Sequence, residues 1–420
     1  MTNPPTHAAT AYTQPTRFVV GIDLGTTNTA VSYVDMEEAR ELLQFRIPQL
    51  VSAGELADAD LLPSFCYLPA GPELPEGALE LPWDADPQTT VGLFARNQGA
   101  AVPERLIASA KSWLAHAGVD RTRGILPWGG HLDEQALSPI QVSSLYLGHV
   151  RAAWDHRFGA LRDADGTPCT LSEQHVIVTV PASFDETARE LTLRAAHEAG
   201  LPKVTLIEEP LAAFYAWLWA NETQWQDMVV EGDSVLVLDV GGGTTDFSMV
   251  EIEPGFTVRR TAVGDHLLLG GDNMDMALAR RAEAAWQTRL PPREWSMLCQ
   301  ECRRIKELLL SPQAPESADI AVAGTGSGIV ATTRVHTFRQ DEVLALVRDG
   351  FFPWTDADAP DPVRSRGIRE MGLPYAADPA VTHHLLRFLR LAGRSADGTD
   401  TALACPSRIL FNGGAMLPEA

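Results

Sequence analysis

Short apolar blocks alternate with helical apolar stripes along most of this chain. Phe18-Val19-Val20-Gly21-Ile22 is one such block, and residues 30–34 form a second across a polar turn. Short blocks bounded by turn residues predict strands. The same pattern recurs at 175–180, 204–207, 235–240, 247–252 and 408–411. Between these blocks the punctuation is that of helices. Ser138-Pro139 supplies an N-cap and a first-turn proline for 138–158. Asp185 and Glu186 place negative charge at the positive end of 185–199, and Gly200 closes it. Further helices are predicted over 103–116, 210–220, 272–290, 295–310, 341–351 and near 383–391. Residues 69–87, rich in proline, glycine and acids, read as exposed loop; 320–334 read as short strands about a glycine-rich turn, and the rest of 352–406 as irregular. Alternating strands and helices place the chain in the α/β class.

Composition narrows the function classes. With 420 residues, 45% of them hydrophobic, the chain can bury a large core without disulfides. Its five cysteines are odd in number, and Cys299-x-x-Cys302 has no second pair or nearby histidine to complete a zinc site. Those two cysteines read as positions on the 295–310 helix. The formal net charge of −22 argues against nucleic acid and against anionic membranes as partners. No run of ~18 apolar residues is present, and residues 1–16 lack a basic start followed by an apolar block, so no secretory signal is expected. These features point to the cytoplasm.

The informative feature is a strand–turn–strand unit that occurs twice, at 18–34 and 235–252, suggesting two similar lobes that face one another. In the first turn Gly25 lets backbone amides approach an anion, and Thr26, Thr27 and Thr29 add hydroxyls. Asp23 stands at the end of an apolar strand, where a carboxylate needs a cation or donors, and a hydrated Mg²⁺ suits it. An ordinary polar hairpin would explain that turn alone. The second turn repeats the arrangement: Asp239 ends a strand, followed by Gly241-Gly242-Gly243-Thr244-Thr245-Asp246. Three successive glycines fit close approach to a pyrophosphate, so the two turns together read as a nucleotide clamp. Ala323-Gly324-Thr325-Gly326-Ser327-Gly328 lacks the Gly-Lys-Ser/Thr ending of a phosphate loop and reads as a hairpin turn.

Six segments in order resemble the Hsp70 chaperone family: 20–29, the run Val178-Thr179-Val180-Pro181-Ala182-Ser183-Phe184, 207–213, 238–246, 269–275 and 409–414. The resemblance runs from about residue 17 to 420. It implies an actin-like, ribonuclease H-like ATPase fold with two lobes around a nucleotide cleft. Lobe I would span 17–230 with a peripheral subdomain at about 50–136, behind a tail over 1–16; lobe II would span 231–420 with a peripheral subdomain at about 270–340 and be incomplete at its C-terminal end. The implied ligands are ATP or ADP with Mg²⁺. Gly25, Thr26, Thr27 and Asn28 on one side, and Gly241, Gly242, Gly243 and Thr244 on the other, would hold phosphates. Asp23 and Asp239 would hold Mg²⁺ through its waters, and Glu209 would orient the attacking water. Lys306, Gly413 and Gly414 would serve the nucleoside. Pro181 and Arg189 would couple nucleotide state to a partner domain absent from this chain. J-domain and nucleotide-exchange co-chaperones and unfolded-protein clients are implied partners.

Three departures stand out. Arg96 occupies the place assigned to a lysine near the γ-phosphate, which predicts slow hydrolysis. Arg303 stands where a glutamate is expected, and Leu310 where a serine is expected. Ala415-Met416-Leu417-Pro418 lacks the arginine expected to pack on adenine. The alternatives on such a scaffold are a nucleotide sensor that does not hydrolyse, an actin-like filament protein, and a small-molecule kinase.

Overall fold

The computed structural model describes residues 16–38, 41–70, 73–116, 118–128, 135–324, 333–361, 369–370, 373–393 and 403–416. Residues 1–15 of the expected tail over 1–16, residues 325–328 of the glycine-rich turn and the segment 417–420 lie outside the described residues.

Both expected strand–turn–strand units are present, and each has the same surroundings. Phe18–Leu24 pairs antiparallel with Asn28–Asp35 on one side and parallel with His175–Val180 on the other. Ser234–Val240 pairs antiparallel with Thr245–Glu253 and parallel with Arg408–Asn412. The first unit lies in a six-stranded sheet with Val204–Glu208, Leu42–Gln44 and Leu61–Pro63; the second lies in a four-stranded sheet with Thr257–Val263. Phe18, Val20, Ile22 and Leu24 alternate into the core of the first sheet, as the period-two pattern requires. There they meet the helix Pro139–Phe158, where Trp154 stacks edge-on against Phe18 with centroids 5.4 Å apart. That helix starts where Ser138-Pro139 predicts, closed by a reciprocal capping box between Ser138 and Gln141. Asp185 caps Glu186–Glu198 by accepting from the Ala188 amide at 2.7 Å.

A separate core forms where the helices Gly271–Ala285 and Pro292–Leu309 pack on the hairpin of Ser317–Ala323 and Thr333–Arg339, around Leu278, Leu298, Ile305 and Phe338. Cys302 is buried on the second of these helices. The helix expected near 383–391 spans Val381–Ala392, and its Phe388 stacks on Phe247 at 5.7 Å.

One expected element is corrected. Residues 103–116 do not form one helix. They divide into a single turn at Pro103–Arg105, a strand at Leu106–Ala108 and a short helix at Ala110–Ala115. Leu106 and Ile107 are buried against the strand Phe65–Tyr67, and that pairing captures the backbone. Among the described residues, no helix is long and apolar enough to cross a membrane.

Candidate functional site

The two glycine-bearing turns touch. A Cβ placed on Gly242 would lie 2.3 Å from Thr27 Oγ1, and one on Gly243 would lie 2.6 Å from Thr26 Cγ2. Gly242 and Gly243 therefore also serve packing: each admits a threonine of the opposite turn. Gly25 is required within its own turn, since a Cβ would sit 2.2 Å from the Asn28 carbonyl. Behind the second turn, the amides of Gly271 and Asp272 donate to the carbonyls of Gly241 and Gly242 at 3.1 and 2.6 Å. Thr244 closes that turn, its carbonyl accepting from the Gly241 amide at 2.8 Å. The Thr27 hydroxyl is buried with no hydrogen-bond partner, a group prepared for an acceptor oxygen.

Carboxylates converge beside these turns. Asp23, at the end of its strand, accepts from Thr179 Oγ1 at 2.7 Å. Asp239 accepts from Asn412 Nδ2 at 2.9 Å. Burial pushes Asp239 up to about 6, with Asp246 and Asp23 adding to the shift. Gly413 takes φ of 88°, and a Cβ there would meet Val240 O at 2.3 Å and Asp239 Oδ1 at 2.6 Å, so glycine is needed beside that carboxylate. Gly414 follows with open space around its Cα. Asp246 accepts from Ser183 Oγ at 2.7 Å and faces His266 Nδ1 at 3.1 Å. Burial alone would raise Asp246, but the His266 charge and both hydrogen bonds outweigh it and hold the carboxyl below its ordinary range.

Glu209 opens the helix Glu209–Ala220 and forms an ion pair with Lys111. Burial pushes Glu209 up to about 7, and Asp23, Asp246 and Asp239 push it further against the pull of Lys111. Burial would lower Lys111, yet Glu209, Asp23 and Asp246 hold it above its ordinary value. One ammonium thus serves several carboxylates, an arrangement with room for further positive charge.

The cation paired with Glu209 is Lys111, whereas Arg96, which the sequence reading set near the terminal phosphate, lies on another helix. Arg96 lies on Leu93–Ala101, a helix packed on Pro292–Leu309, with Gln300 Nε2 donating to its carbonyl at 3.0 Å. Burial and the neighbouring Arg303 lower its pKa, opposed by Glu307. Lys111 lies on Ala110–Ala115, packed against Pro139–Phe158 and Glu186–Glu198. The strand Leu106–Ala108, read from sequence as helix, separates the two cations. A signal was available: this chain carries its positive charge almost wholly on arginine, with only three lysines, and Lys111 falls in the apolar stretch from Leu106 to Leu114. A charge inside such a stretch needs a partner.

Lys306, the remaining nucleoside candidate, lies against the start of the helix Gly271–Ala285. Lys306 Nζ donates to Gly271 O at 2.7 Å and pairs with Asp275 at 2.6 Å. Arg303 pairs with Asp272 and, at 2.9 Å, with Asp275. Pro181 follows the strand His175–Val180. Arg189 Nη2 pairs with Glu208 Oε1 at 2.7 Å, one residue from Glu209.

A family profile described as Hsp70 protein matches residues 85–336, more than half of the chain. A chaperone protein HscA homolog of Shewanella frigidimarina is 29% identical over 320 residues, covering 72% of this chain and 43% of the relative. Chaperone protein HscA of Pectobacterium carotovorum is 30% identical over 323 residues, covering 73% and 44%. An HscA homolog of Burkholderia lata is 31% identical over 329 residues, covering 77% and 46%. The chain spans less than half the length of these relatives. With the family profile covering most of the region between its two touching turns and beyond, the chain belongs to the Hsp70 family.

Proposed function

We propose that this chain is the nucleotide-binding domain of an Hsp70-type chaperone, binding ATP with Mg²⁺ and hydrolysing it to ADP and phosphate. On this reading the six-stranded and four-stranded sheets are the centres of lobes I and II, and the touching turns lie at the floor of the cleft. The single observation that carries the proposal is the Lys111–Glu209 pair set among Asp23, Asp239 and Asp246 beside both turns.

The residues present fit both implied ligands. The buried, unpartnered Thr27 hydroxyl and the surrounding turn suit phosphate oxygens. The excess of carboxylates over ammonium suits a hydrated divalent cation held by Asp23 and Asp239. When bound, Mg²⁺ would neutralise phosphate charge. Phosphoryl transfer then asks the protein for positioning and charge stabilisation. Gly25, Thr26, Thr27 and Asn28 would hold phosphate from lobe I, and Gly241 to Thr244 from lobe II. Glu209 would accept a hydrogen bond from the attacking water. Lys111 would keep Glu209 ionised and carry positive charge toward the terminal phosphate. Arg96 has no place in this chemistry, which removes the reason for expecting hydrolysis slowed by an arginine. Lys306 would reach the nucleoside from the helix Pro292–Leu309. Pro181 and Arg189 would transmit the state of the site to a partner domain, and J-domain partners, exchange factors and unfolded clients belong to that larger assembly.

The test is calorimetric titration with Mg·ATP and Mg·ADP, then single-turnover hydrolysis, with Asp239→Asn as control. Binding and hydrolysis lost in the variant support the proposal. Binding without turnover replaces it with a nucleotide sensor, and nucleotide-dependent sedimentation replaces it with a filament protein.

A further inference from the structure

The loop after the strand His175–Val180 is gripped from lobe II at three consecutive residues. Arg260 Nη1 donates to Ala182 O at 3.1 Å. Ser183 Oγ donates to Asp246 at 2.7 Å and lies 3.2 Å from His266 Nδ1. The Phe184 ring meets His266 edge-on at 5.9 Å. Arg260, on the strand Thr257–Val263, also reaches Glu208 Oε2 at 3.2 Å, while Arg189 holds Glu208 Oε1 at 2.7 Å and donates to Phe184 O at 3.3 Å. One carboxylate, Glu208, is therefore shared by an arginine of each lobe. It ends the strand Val204–Glu208, and the next residue is Glu209.

We propose that Arg260 is a positioning residue for hydrolysis: it ties lobe II to Glu208 and Ala182 and thereby fixes Glu209 in its place against Lys111. The inference rests on the functional reading above. The guanidinium suits the task because a single nitrogen, Nη1, faces both the Ala182 carbonyl at 3.1 Å and the Glu208 carboxylate at 3.2 Å, and its charge is permanent. The clasp can also release. Arg260, Arg189 and Glu208 keep 32%, 24% and 16% of their side-chain surface exposed, so water can take over their partners when the lobes part. The neighbouring Arg259 is not part of it, since its guanidinium turns to Glu251 and Glu253.

The experiment compares Arg260→Met, Arg260→Lys, Glu208→Gln and the Arg260→Met/Glu208→Gln double variant in single-turnover hydrolysis and in Mg·ATP titration. Arg260→Met should slow hydrolysis by about 10-fold while affinity changes by less than about 3-fold, the signature of an effect on the reacting arrangement rather than on binding. Arg260→Lys should recover part of the rate. The double variant should be no slower than the worse single one, because the two side chains act through one contact. Hydrogen exchange on the ligand-free chain should show faster exchange over residues 182–189 in Arg260→Met. Unchanged hydrolysis, a rate loss matched by an equal affinity loss, or additive single variants would overturn the role. If the unmodified chain neither binds nor hydrolyses ATP while the exchange effect remains, the functional reading fails and only the clasp survives. If it hydrolyses ATP and Arg260→Met alters neither rate nor exchange, the clasp fails and the functional reading stands.

Discussion

The two ends of the candidate site handle charge in opposite ways. At the turn end, Asp23, Asp239, Asp246 and Glu209 have Lys111 and His266 among them, and Glu209 and Asp239 are pushed up to about 7 and about 6. At the far end, Asp272 and Asp275 are paired with Arg303 and Lys306. Burial raises Glu209 and Asp239, with neighbouring carboxylates adding to it, which leaves that end room for a cation; burial raises Asp272 as well, but there each carboxylate already faces an arginine or a lysine. The first end is built to gain charge on binding, the second to hold shape.

The largest separation between the ends should come from removing their lysines. Lys111→Met or Glu209→Gln should lower single-turnover hydrolysis by about 100-fold or more, while Lys306→Met should act mainly on nucleotide affinity. If all three lowered rate and affinity together, the division between the ends would collapse.

A steric test comes next. Gly242→Ala places a Cβ 2.3 Å from Thr27 Oγ1, whereas Gly148→Ala, on the helix Pro139–Phe158, meets nothing within 4 Å. Forcing the turns apart costs about 1–3 kcal/mol, so nucleotide affinity should fall roughly 10-fold for the first variant. The second should retain affinity. Titration of both with Mg·ADP reads the difference directly.

Protonation gives a smaller signal of known sign. A folded-state pKa of about 7 for Glu209, against an ordinary 4.5, means the folded ligand-free chain holds a proton that the unfolded chain has released between those values. Its stability should therefore decline as pH rises through that window and level off above it. Added Mg·ATP should expel the proton, so the binding enthalpy measured near pH 7 should vary with the ionisation enthalpy of the buffer. Binding without proton release would show that Glu209 keeps its proton when the nucleotide is bound. The smallest effect is expected at Arg96: Arg96→Lys should leave hydrolysis within about 2-fold, since a lysine keeps the charge and the residue does not touch the carboxylate cluster.

Much of the fold was legible because its signals are local. The blocks at 18–22 and 235–240, the Ser138-Pro139 start and the Asp185 cap each announce themselves within a few residues, and all are found. The short strands between residues 42 and 67 were not anticipated, because elements of three to six residues carry too little periodicity. The break of 103–116 was hidden for another reason: Leu106-Ile107-Ala108 fits a helix or a strand, and its partner Phe65–Tyr67 is remote in sequence. Arg96 was assigned by family resemblance of its own segment, which carries no information on the packing that brings Lys111 to Glu209.

By itself, the sequence determined the paired strand–turn–strand units, the order of the motifs and the identity of Asp23, Asp239 and the glycine turns, since each is set by backbone sterics and short-range pattern. The tertiary structure alone decided which cation meets Glu209, why Gly242 and Gly243 must be glycine, and that Arg260 and Arg189 share Glu208. Those facts depend on contacts between residues far apart in the chain, and only the packing of one sheet's surroundings against the other's brings them within reach.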